Sequence, residues 1–382
     1  MAKRKPKPSW LHKMGDDLVA AVMTSFAEAG VTPTENELAE RTRQVVVKSV
    51  DEFVEVLIAA HDTHIVGTRK DERRFQRRNE KRWKPAFAAL EALWCICSEF
   101  GGEFNSHHRP EAVELQDYRF EALTTLHARS LLVAREALAL MRQGYADGAL
   151  ARWRTLHEVS AIALFIQVAE PDVALRYLAS FRFQGYRAAL QIDEIFGKGS
   201  RESFTDEELA EMRVACERLE AQFGAKLGDD YEWARPGLSL PPKAKVTFRH
   251  IETAVGLTGF RPYYRWASQH NHGGYRPPHQ GLGMVEARTP MLLIGPSDSG
   301  MIDPLQLVAL SLAKATAALL LWRASAGIGI QIAIIDRFAT RVAPIALQTE
   351  REGIAQGGRR GRRSGATPAG SGQSVGDNST SA

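Results

Sequence analysis

Residues 144–158, GYADGALARWRTLHE, contain the strongest fold signal in this chain. Two glycines frame a tight junction at their start, and a helix-forming run without breakers continues from there to about residue 169. Beyond Glu158 this run is apolar on nearly all sides of a helix, which is typical of a helix packed between others. The segment therefore predicts a buried helix over residues 146–169.

The segments around this helix also have helical periodicity. Residues 228–245 and 273–303 are rich in Gly and Pro and predict loops, the second with one short β-like run at 291–294. The other predicted helices in this half are 111–143, 171–196, 205–226, 246–256, 261–272, 304–326 and 328–347. The pattern predicts an all-α fold, a multi-helix bundle.

The chain divides into four ranges on composition. The basic segment 1–9 and the Gly/Ser/Arg-rich segment 355–382 contain too little apolar surface to order, so both predict disordered tails. Between them we expect an N-terminal helical module over 10–104 and a main helical domain over 110–348. The module contains a helix start at residue 34, where Thr is followed three residues later by Glu. It ends in two glycines and a polar loop at 105–110.

The bulk composition is that of a soluble globular protein, with 44% hydrophobic and 25% charged residues in a chain of 382. Three cysteines form no disulfide framework, which favours a reducing compartment and a cytoplasmic location. The most apolar stretch, 307–322, is short for a bilayer and contains Lys314, so we expect a buried helix and no membrane association. The net charge of +4 comes from the two ends, since residues 1–13 carry +5 and residues 355–382 carry +3, which leaves −4 for the rest of the chain.

A basic segment lies at residues 69–84, where nine Lys and Arg residues stand against three acids. Arg73, Arg74, Arg77 and Arg78 repeat every four residues and stack along one side of a helix. Such a stripe, with the basic tails, fits a nucleic acid or nucleotide partner. A solvated linker helix explains the same pattern, and both interpretations stay open. Nothing in the sequence excludes a homo-oligomer.

The first polar cluster lies on the predicted helix 146–169. Arg154, His157 and Glu158 fall within about 100° of one another around the helix axis. Arg154 and Glu158 are four residues apart and can pair. Because the following turns are apolar, this face is expected to meet a packed interface. We predict Arg154 and His157 as substrate-binding and Glu158 as a member of a catalytic site. A buried structural network is the alternative.

The second polar cluster lies in residues 261–272, between a proline suited to a helix start and two glycines suited to a helix end. Arg261, Arg265, Ser268 and His272 share one face of this predicted helix. Arg265 would stabilise phosphoryl charge and His272 would act as acid or base, with Ser268 and Tyr264 orienting the site. Arg261 would bind substrate. A terminal His that caps carbonyls beside two solvated Arg residues is the alternative.

These two clusters carry a resemblance to a known family. The segment RTLHE at 154–158 and the segment YRWASQHNH at 264–272 fit an Arg-x-Leu-x-Glu-like motif followed by a Tyr-x3-Ser-x3-His motif. Residues 115–325 therefore resemble a bacterial family of unknown function. The resemblance implies a helical domain with an unassigned site and brings no established activity.

The chain also has a distant resemblance to the HEPN superfamily of helical ribonucleases and nucleotide-binding domains, whose motif is Arg, four to six residues, then His. Three pairs fit, Arg152/His157, Arg265/His270 and Arg265/His272, which is about the number that chance predicts. Helical geometry sorts them, since only Arg265 and His272 share a face. The resemblance implies a metal-independent ribonuclease of defence or toxin type.

Two functions remain in contention at this point. The first is a nucleic-acid- or nucleotide-directed protein of the ribonuclease type, and the second is a non-catalytic helical binding or regulatory protein. Whether the chain is an enzyme stays open. His61 and His64 are three residues apart on a helix but no third ligand is evident, and no glycine-rich nucleotide cradle occurs. We therefore expect no metal and no cofactor.

Overall fold

The computed structural model describes residues 10–197, 203–224, 227–273, 275, 277–287 and 291–364. The chain divides into two units, residues 1–74 and 75–382. The tail predicted at 1–9, and the part of the other predicted tail that follows residue 364, lie outside the described residues. The boundary predicted at 104–110 falls within the second unit.

Every secondary-structure element among the described residues is helical, which confirms the predicted all-α fold. Short 3₁₀ turns connect several of the α-helices, the longest at Glu232–Gly237. The α-helices are α1 (Trp10–Glu28), α2 (Glu35–Glu114), α3 (Tyr118–Arg142), α4 (Ala146–Val168), α5 (Pro171–Phe196), α6 (Asp206–Phe223), α7 (Phe248–Ala254), α8 (Arg261–Gln269), α9 (Ile302–Leu320) and α10 (Ala326–Ser364).

In the first unit, a capping box begins α2 at the predicted place. The Thr34 backbone N–H donates to Glu37 Oε2 at 2.9 Å, and the Glu37 backbone N–H donates to Thr34 Oγ1 at 3.3 Å. These hydrogen bonds satisfy two backbone donors that no helical carbonyl can reach. They also hold the pKa of Glu37 below its usual value, since the carboxylate form accepts both the backbone and the hydroxyl bond of Thr34.

Helix α4 lies at the centre of the second unit, as its apolar sequence predicts. It packs against α3 and α9 along its length and against α7 and α8 over shorter stretches. Trp153 and Leu156 are fully buried, and Trp153 Nε1 donates to Ser311 Oγ on α9 at 2.9 Å. The polar residues of α4 are thereby held against neighbours that come from distant parts of the chain.

The junction before α4 requires the glycine found there. Gly144 has φ +88°, and a Cβ atom at this position would lie 2.5 Å from the Phe75 ring. Both the left-handed backbone and the close approach exclude a larger side chain. This junction sets the direction in which α4 leaves α3.

Helix α9 explains the most apolar stretch of the chain. Residues 302–323 are long and apolar enough to cross a membrane by length and composition alone. In the second unit, however, 67% of this window is buried, and α9 packs against α3, α4 and α10. Its position in the core accounts for its composition.

Three indole and amide groups attach the second half of α2 to the rest of its unit. Trp83 Nε1 donates to the Asp298 carbonyl at 2.8 Å, and Trp94 Nε1 donates to the Leu131 carbonyl at 2.9 Å. Asn79 Nδ2 donates to the Met141 carbonyl at 2.9 Å, where α3 approaches its end. The bonds to Asp298 and Met141 satisfy carbonyls in a loop and in the last turn of a helix, whereas the bond to Leu131 adds a second donor to a carbonyl within α3.

The loop predicted at 105–110 is helical instead, and α2 continues through Pro110 to Glu114. Phe104 and Ala112 are buried on either side of the proline, so apolar packing outweighs the cost of the missing backbone donor. The predicted break at the preceding glycine pair is also absent. Gly101 is packed against the ring of His127 on α3, which explains why a glycine stands inside a helix there.

Other predicted boundaries shift at the ends of helices. The helix predicted at 261–272 ends three residues earlier, at Gln269, and the short run at 291–294 forms no strand. Helix α10 continues to Ser364, so residues 355–364 are helical where a disordered tail was expected. The predicted bounds of α4 and α5 agree with the structure to within one residue.

Candidate functional site

Helices α4 and α8 bring one polar cluster together from two distant segments. Arg154 on α4 donates from Nε to Ser268 Oγ at 3.0 Å and from Nη2 to the Tyr264 hydroxyl at 2.7 Å. The same Nη2 lies 3.0 Å from Glu158 Oε1, one turn further along α4. We call Arg154, Glu158, Tyr264 and Ser268 the α4–α8 network. It joins the two polar segments that the sequence singles out.

Tyr264 is the hub of this network. Its hydroxyl donates to Glu158 Oε1 in a short hydrogen bond, while its backbone carbonyl accepts from Ser268 Oγ at 2.8 Å. Its ring centroid lies 4.7 Å from the Arg154 guanidinium and 5.0 Å from the Arg261 guanidinium, both within cation–π range. A single phenol therefore organises two arginines and one carboxylate.

The surroundings of Tyr264 keep it protonated. Burial, donation to Glu158 and the charge of that carboxylate all raise the pKa of Tyr264, and Arg154 opposes them only in part. The raised pKa of Tyr264 keeps the phenol protonated at neutral pH, so it acts as a hydrogen-bond donor and is a weak acid. The network is also only partly closed, because the Arg154 side chain is 29% exposed and that of Glu158 is 21% exposed.

A second cluster, the buried cluster, lies beside the network and has a fully buried His157–Glu252 pair at its centre. His157 Nε2 and Glu252 Oε1 are hydrogen-bonded at 2.9 Å, and both side chains are shut off from solvent. The other carboxylate oxygen of Glu252 accepts from Arg261 Nη1 at 3.0 Å. The ring of His157 also lies 5.4 Å from that of Phe260 and 5.9 Å from that of Tyr264. A buried carboxylate with two partners is the arrangement expected of a charge retained inside a core.

Tyr231, in the loop before α7, is influenced by the charges of the α4–α8 network. Burial is the main cause that raises the pKa of Tyr231 to about 12, and the negative charge of Glu158 raises it further. The ring centroid of Tyr231 lies 6.1 Å from that of Phe248 on α7. Tyr231 lies in a segment that was predicted only as a loop, and no local pattern in the sequence marks it.

The structure brings together six of the eight predicted site residues. Arg154, Glu158, Tyr264 and Ser268 form the α4–α8 network itself. The other two, His157 and Arg261, meet through Glu252 in the buried cluster. Glu252 was missed because it lies on the short helix α7, in a run without a polar motif.

Arg265 and His272 do not join these clusters. Both are exposed, and neither contacts the α4–α8 network through a hydrogen bond or an ion pair. The shared face predicted for them required a helix reaching residue 272. Past Gln269 the backbone N–H groups of His270 and Asn271 donate instead to carbonyls three residues back, so the chain leaves the α-helical path. The predicted stripe of Arg265, Ser268 and His272 is therefore not formed.

The turn at the end of α8 is anchored by a different histidine. His270 Nδ1 lies 3.5 Å from Asp147 Oδ1 at the start of α4, and the His270 side chain is largely buried. Asp147 also accepts from the backbone N–H of Leu282 at 2.9 Å and of Gly283 at 3.3 Å. These contacts pull the chain after α8 toward the first turn of α4, which explains the early helix end.

Among the described residues no group of three or more His, Cys, Asp or Glu side chains is placed to hold a metal ion. His61 is exposed, and the side chain of His64 lies outside the described residues. Cys97 is buried, and burial raises the pKa of its thiol to about 12, which makes it unreactive.

The predicted basic stripe falls on both sides of the division between the units. Arg73 and Arg74 belong to the first unit, where both are exposed and Arg74 lies 3.5 Å from Asp71. Arg77 and Arg78 belong to the second unit and are exposed there as well.

In the second unit the basic surface of α2 borders a shallow groove of about 570 Å³. Arg77, Lys81 and Lys84 line it together with Arg142 at the end of α3. Arg142 is paired with Glu80 and Glu91, whereas the three cations of α2 form no ion pair with any described residue. We call Arg77, Lys81 and Lys84 the basic face of α2.

Comparison with known families gives one result. Residues 120–283 match a family of unknown function (DUF5677). This range contains all but the first two residues of α3 and the whole of α4 to α8, and with them the α4–α8 network and the buried cluster. The match supports the resemblance to a family of unknown function and brings no activity with it. Comparison with curated proteins and with solved structures finds no match.

Proposed function

We propose that this chain is a nucleic-acid-binding protein that uses the basic face of α2 and binds without cutting. The basic face of α2 carries this proposal. Arg77, Lys81 and Lys84 are spaced four and three residues apart, so they project from one side of the helix over about 10 Å. Unpaired cations in such a row attract successive phosphates and release their counterions.

Single-stranded RNA is the nucleic acid that this face suits best. The bordering groove is shallow, and its polar lining includes Gln76 and Gln143, which are hydrogen-bonded to each other. Phe75 projects from the other side of α2, where its ring packs at Gly144 and the ring centroid lies 5.9 Å from the Arg78 guanidinium. A row of cations beside a shallow groove can follow the backbone of a single strand without reading its sequence.

The ribonuclease hypothesis receives less support from the geometry. Its acid or base, His272, lies past the end of α8, and Arg265 is solvated on the exposed side of that helix. The groups that do converge are engaged with each other, and Tyr264 is held protonated. Such a network suits a structural or ligand-positioning role better than proton transfer.

The test measures the binding of a fluorescent single-stranded RNA to the full-length protein by fluorescence anisotropy at several salt concentrations. The triple variant R77A/K81A/K84A is expected to bind more weakly and to reduce the slope of log K against log salt by about 2, since three phosphate contacts are lost. The matched control is R182A/R213A/R218A, which removes three exposed cations from α5 and α6. It should bind as wild type does. If both variants weakened RNA binding equally, the loss of affinity would depend on net charge and not on the position of the cations, which would contradict the proposal.

RNA integrity in the same samples separates binding from cleavage. We expect the RNA to remain intact with wild type, with H272A and with R265A, in the presence and absence of EDTA. Degradation by wild type that H272A abolishes would restore the ribonuclease hypothesis. Degradation that EDTA abolishes would instead indicate a metal-dependent activity.

A further inference from the structure

A partly open cavity of about 620 Å³ lies between α3, α5 and residues 227–233. Four aromatic residues line it: Tyr177 and Phe181 on α5, and Tyr231 and Trp233 after α6. The volume is within the range of sites for small organic ligands. This cavity is separate from the basic face of α2, and neither polar segment of the sequence predicts it.

The aromatic rings form adjoining walls. The centroids of Tyr177 and Trp233 are 4.9 Å apart with their planes inclined by 67°, so the two lining rings are in edge-to-face contact. Phe181 lies at the open side with 70% of its surface exposed. A large aromatic ring left in solvent beside a cavity is a feature of interaction sites. Faces of aromatic rings around one space attract organic cations.

The charged groups of the cavity agree with a cationic ligand. Asp229 and Asp230 line it, are exposed, and form no ion pair with the residues that the structure describes. The neighbouring acid Glu232 differs, because Arg235 binds both of its oxygens. One cation also lines the cavity, Arg129 on α3, and it too lacks an ion-pair partner in the described part of the chain. Two carboxylates against one guanidinium leave a net charge of −1.

The backbone at Tyr231 is held in an uncommon conformation. Tyr231 has φ +60° and ψ +3°, in the left-handed region that residues other than glycine rarely occupy. The Ala234 backbone N–H donates to the Tyr231 carbonyl at 2.9 Å and maintains the turn. Strain of this kind is concentrated at ligand sites, and Tyr231 is one of the residues that line the cavity.

We propose that this cavity binds an organic ammonium compound that carries one anionic group. The ammonium group is held by the ring faces of Tyr177, Phe181 and Trp233, with Asp229 and Asp230 balancing its charge. The anionic group is bound by Arg129 across the cavity. A nucleotide is the poorer ligand, because its phosphate charge would lie beside two carboxylates with a single guanidinium to offset them.

Calorimetric titration of the full-length protein with choline, phosphocholine and AMP tests this proposal. Choline and phosphocholine should bind, phosphocholine more tightly, and AMP most weakly. F181S should weaken both choline compounds about fivefold, as expected for loss of one cation–π contact. R129Q should weaken phosphocholine and leave choline unchanged or tighter. The matched control is F196S, which removes another exposed ring, 59% exposed, from the same helix outside the cavity and should change nothing.

Several results would overturn the proposal, and each is independent of RNA binding by the basic face of α2. The proposal is wrong if neither choline compound binds the folded protein at about 10 mM. It is also wrong if AMP binds more tightly than choline, or if wild type and F181S bind choline with equal affinity. The exposed position of Phe181 makes folding of its variant straightforward to verify by circular dichroism. D229N/D230N provides a second readout and should weaken choline more than it weakens phosphocholine.

Discussion

Arg154 and Tyr264 contact each other twice although 110 residues separate them in the chain. The guanidinium donates to the phenol oxygen at 2.7 Å and lies 4.7 Å from the centroid of the same ring. The double contact fixes α8 against α4 in both direction and rotation. It also delivers the Tyr264 hydroxyl to Glu158 on the next turn of α4. The main role of the α4–α8 network is therefore to connect the two helices.

Replacement of Tyr264 by Phe should measure how much this connection contributes. The ring packing remains, but Arg154 loses an acceptor and Glu158 loses a donor. We expect the free energy of unfolding to fall by about 1–2 kcal/mol in urea titrations. Tyr263→Phe is the matched control, because the neighbouring tyrosine is 39% exposed. It should change the free energy of unfolding by less than about 0.5 kcal/mol. Equal losses in the two variants would argue against the network.

The buried carboxylate of Glu252 should be much more sensitive. Glu252→Ala leaves His157 and Arg261 without their shared partner inside the core. We expect a loss of about 3–5 kcal/mol, measured by urea unfolding. Glu217→Ala removes one side of an exposed pair with Arg213 at 3.9 Å and should cost less than about 1 kcal/mol. A small effect of Glu252→Ala would mean that the core rearranges to hydrate the freed groups.

The adjacent glycines 101 and 102 should respond to alanine with opposite signs. A Cβ atom at Gly101 would lie 2.1 Å from His127 Cε1, whereas nothing lies within 4 Å of one at Gly102. Gly101→Ala should destabilise the protein by roughly 2–3 kcal/mol through overpacking. Gly102→Ala should stabilise it by about 0.5–1 kcal/mol, because alanine favours an exposed helix. Thermal melting of the two variants decides the matter, and a shared sign would contradict the packing seen here.

His127 should make stability depend on pH in the acid range. Burial is the main cause that lowers the pKa of His127 to about 4, against a weaker contribution from its hydrogen bond to the Cys97 backbone. In the unfolded chain this histidine takes up a proton near pH 6.5. Between about pH 6.5 and pH 4 the folded state therefore binds fewer protons than the unfolded chain does. Stability is therefore full above pH 6.5 and falls as the pH drops toward 4, by about 3 kcal/mol in total.

Urea unfolding at several pH values tests this dependence. His127→Gln removes the titrating group, so the stability gap between wild type and variant should shrink steadily below pH 6.5. His272→Gln removes an exposed histidine and should follow the wild-type curve. A constant gap between wild type and His127→Gln from pH 7 to pH 4 would exclude His127 as the cause.

Local sequence predicts the helices of this protein well wherever one segment contains both the apolar face and its end signals. The bounds of α4 and α5, and the cap that begins α2 at Thr34, belong to this group. The prediction fails where a distant contact overrides a local breaker. Gly101 and Pro110 stay inside α2 because residues from other helices pack against that stretch.

The candidate site divides in the same way. Arg154 and Glu158 are neighbours on one helix, and so are Tyr264 and Ser268, so the spacing of the residues alone identifies both pairs. Glu252 and Tyr231 have no such local partner, and their roles arise from contacts across long stretches of chain.

The sequence by itself determined that this protein is helical, that α4 is buried, and that the polar residues of α4 and α8 are its unusual feature. These properties follow from periodicity and composition, which act over a few turns of helix. Only the tertiary structure decided that Tyr264 joins Arg154 to Glu158, that His272 stands apart, and that four aromatic rings enclose a cavity. Those outcomes depend on where α8 ends and which helices pack together. Both are set by contacts such as that of His270 with Asp147, which no local pattern encodes.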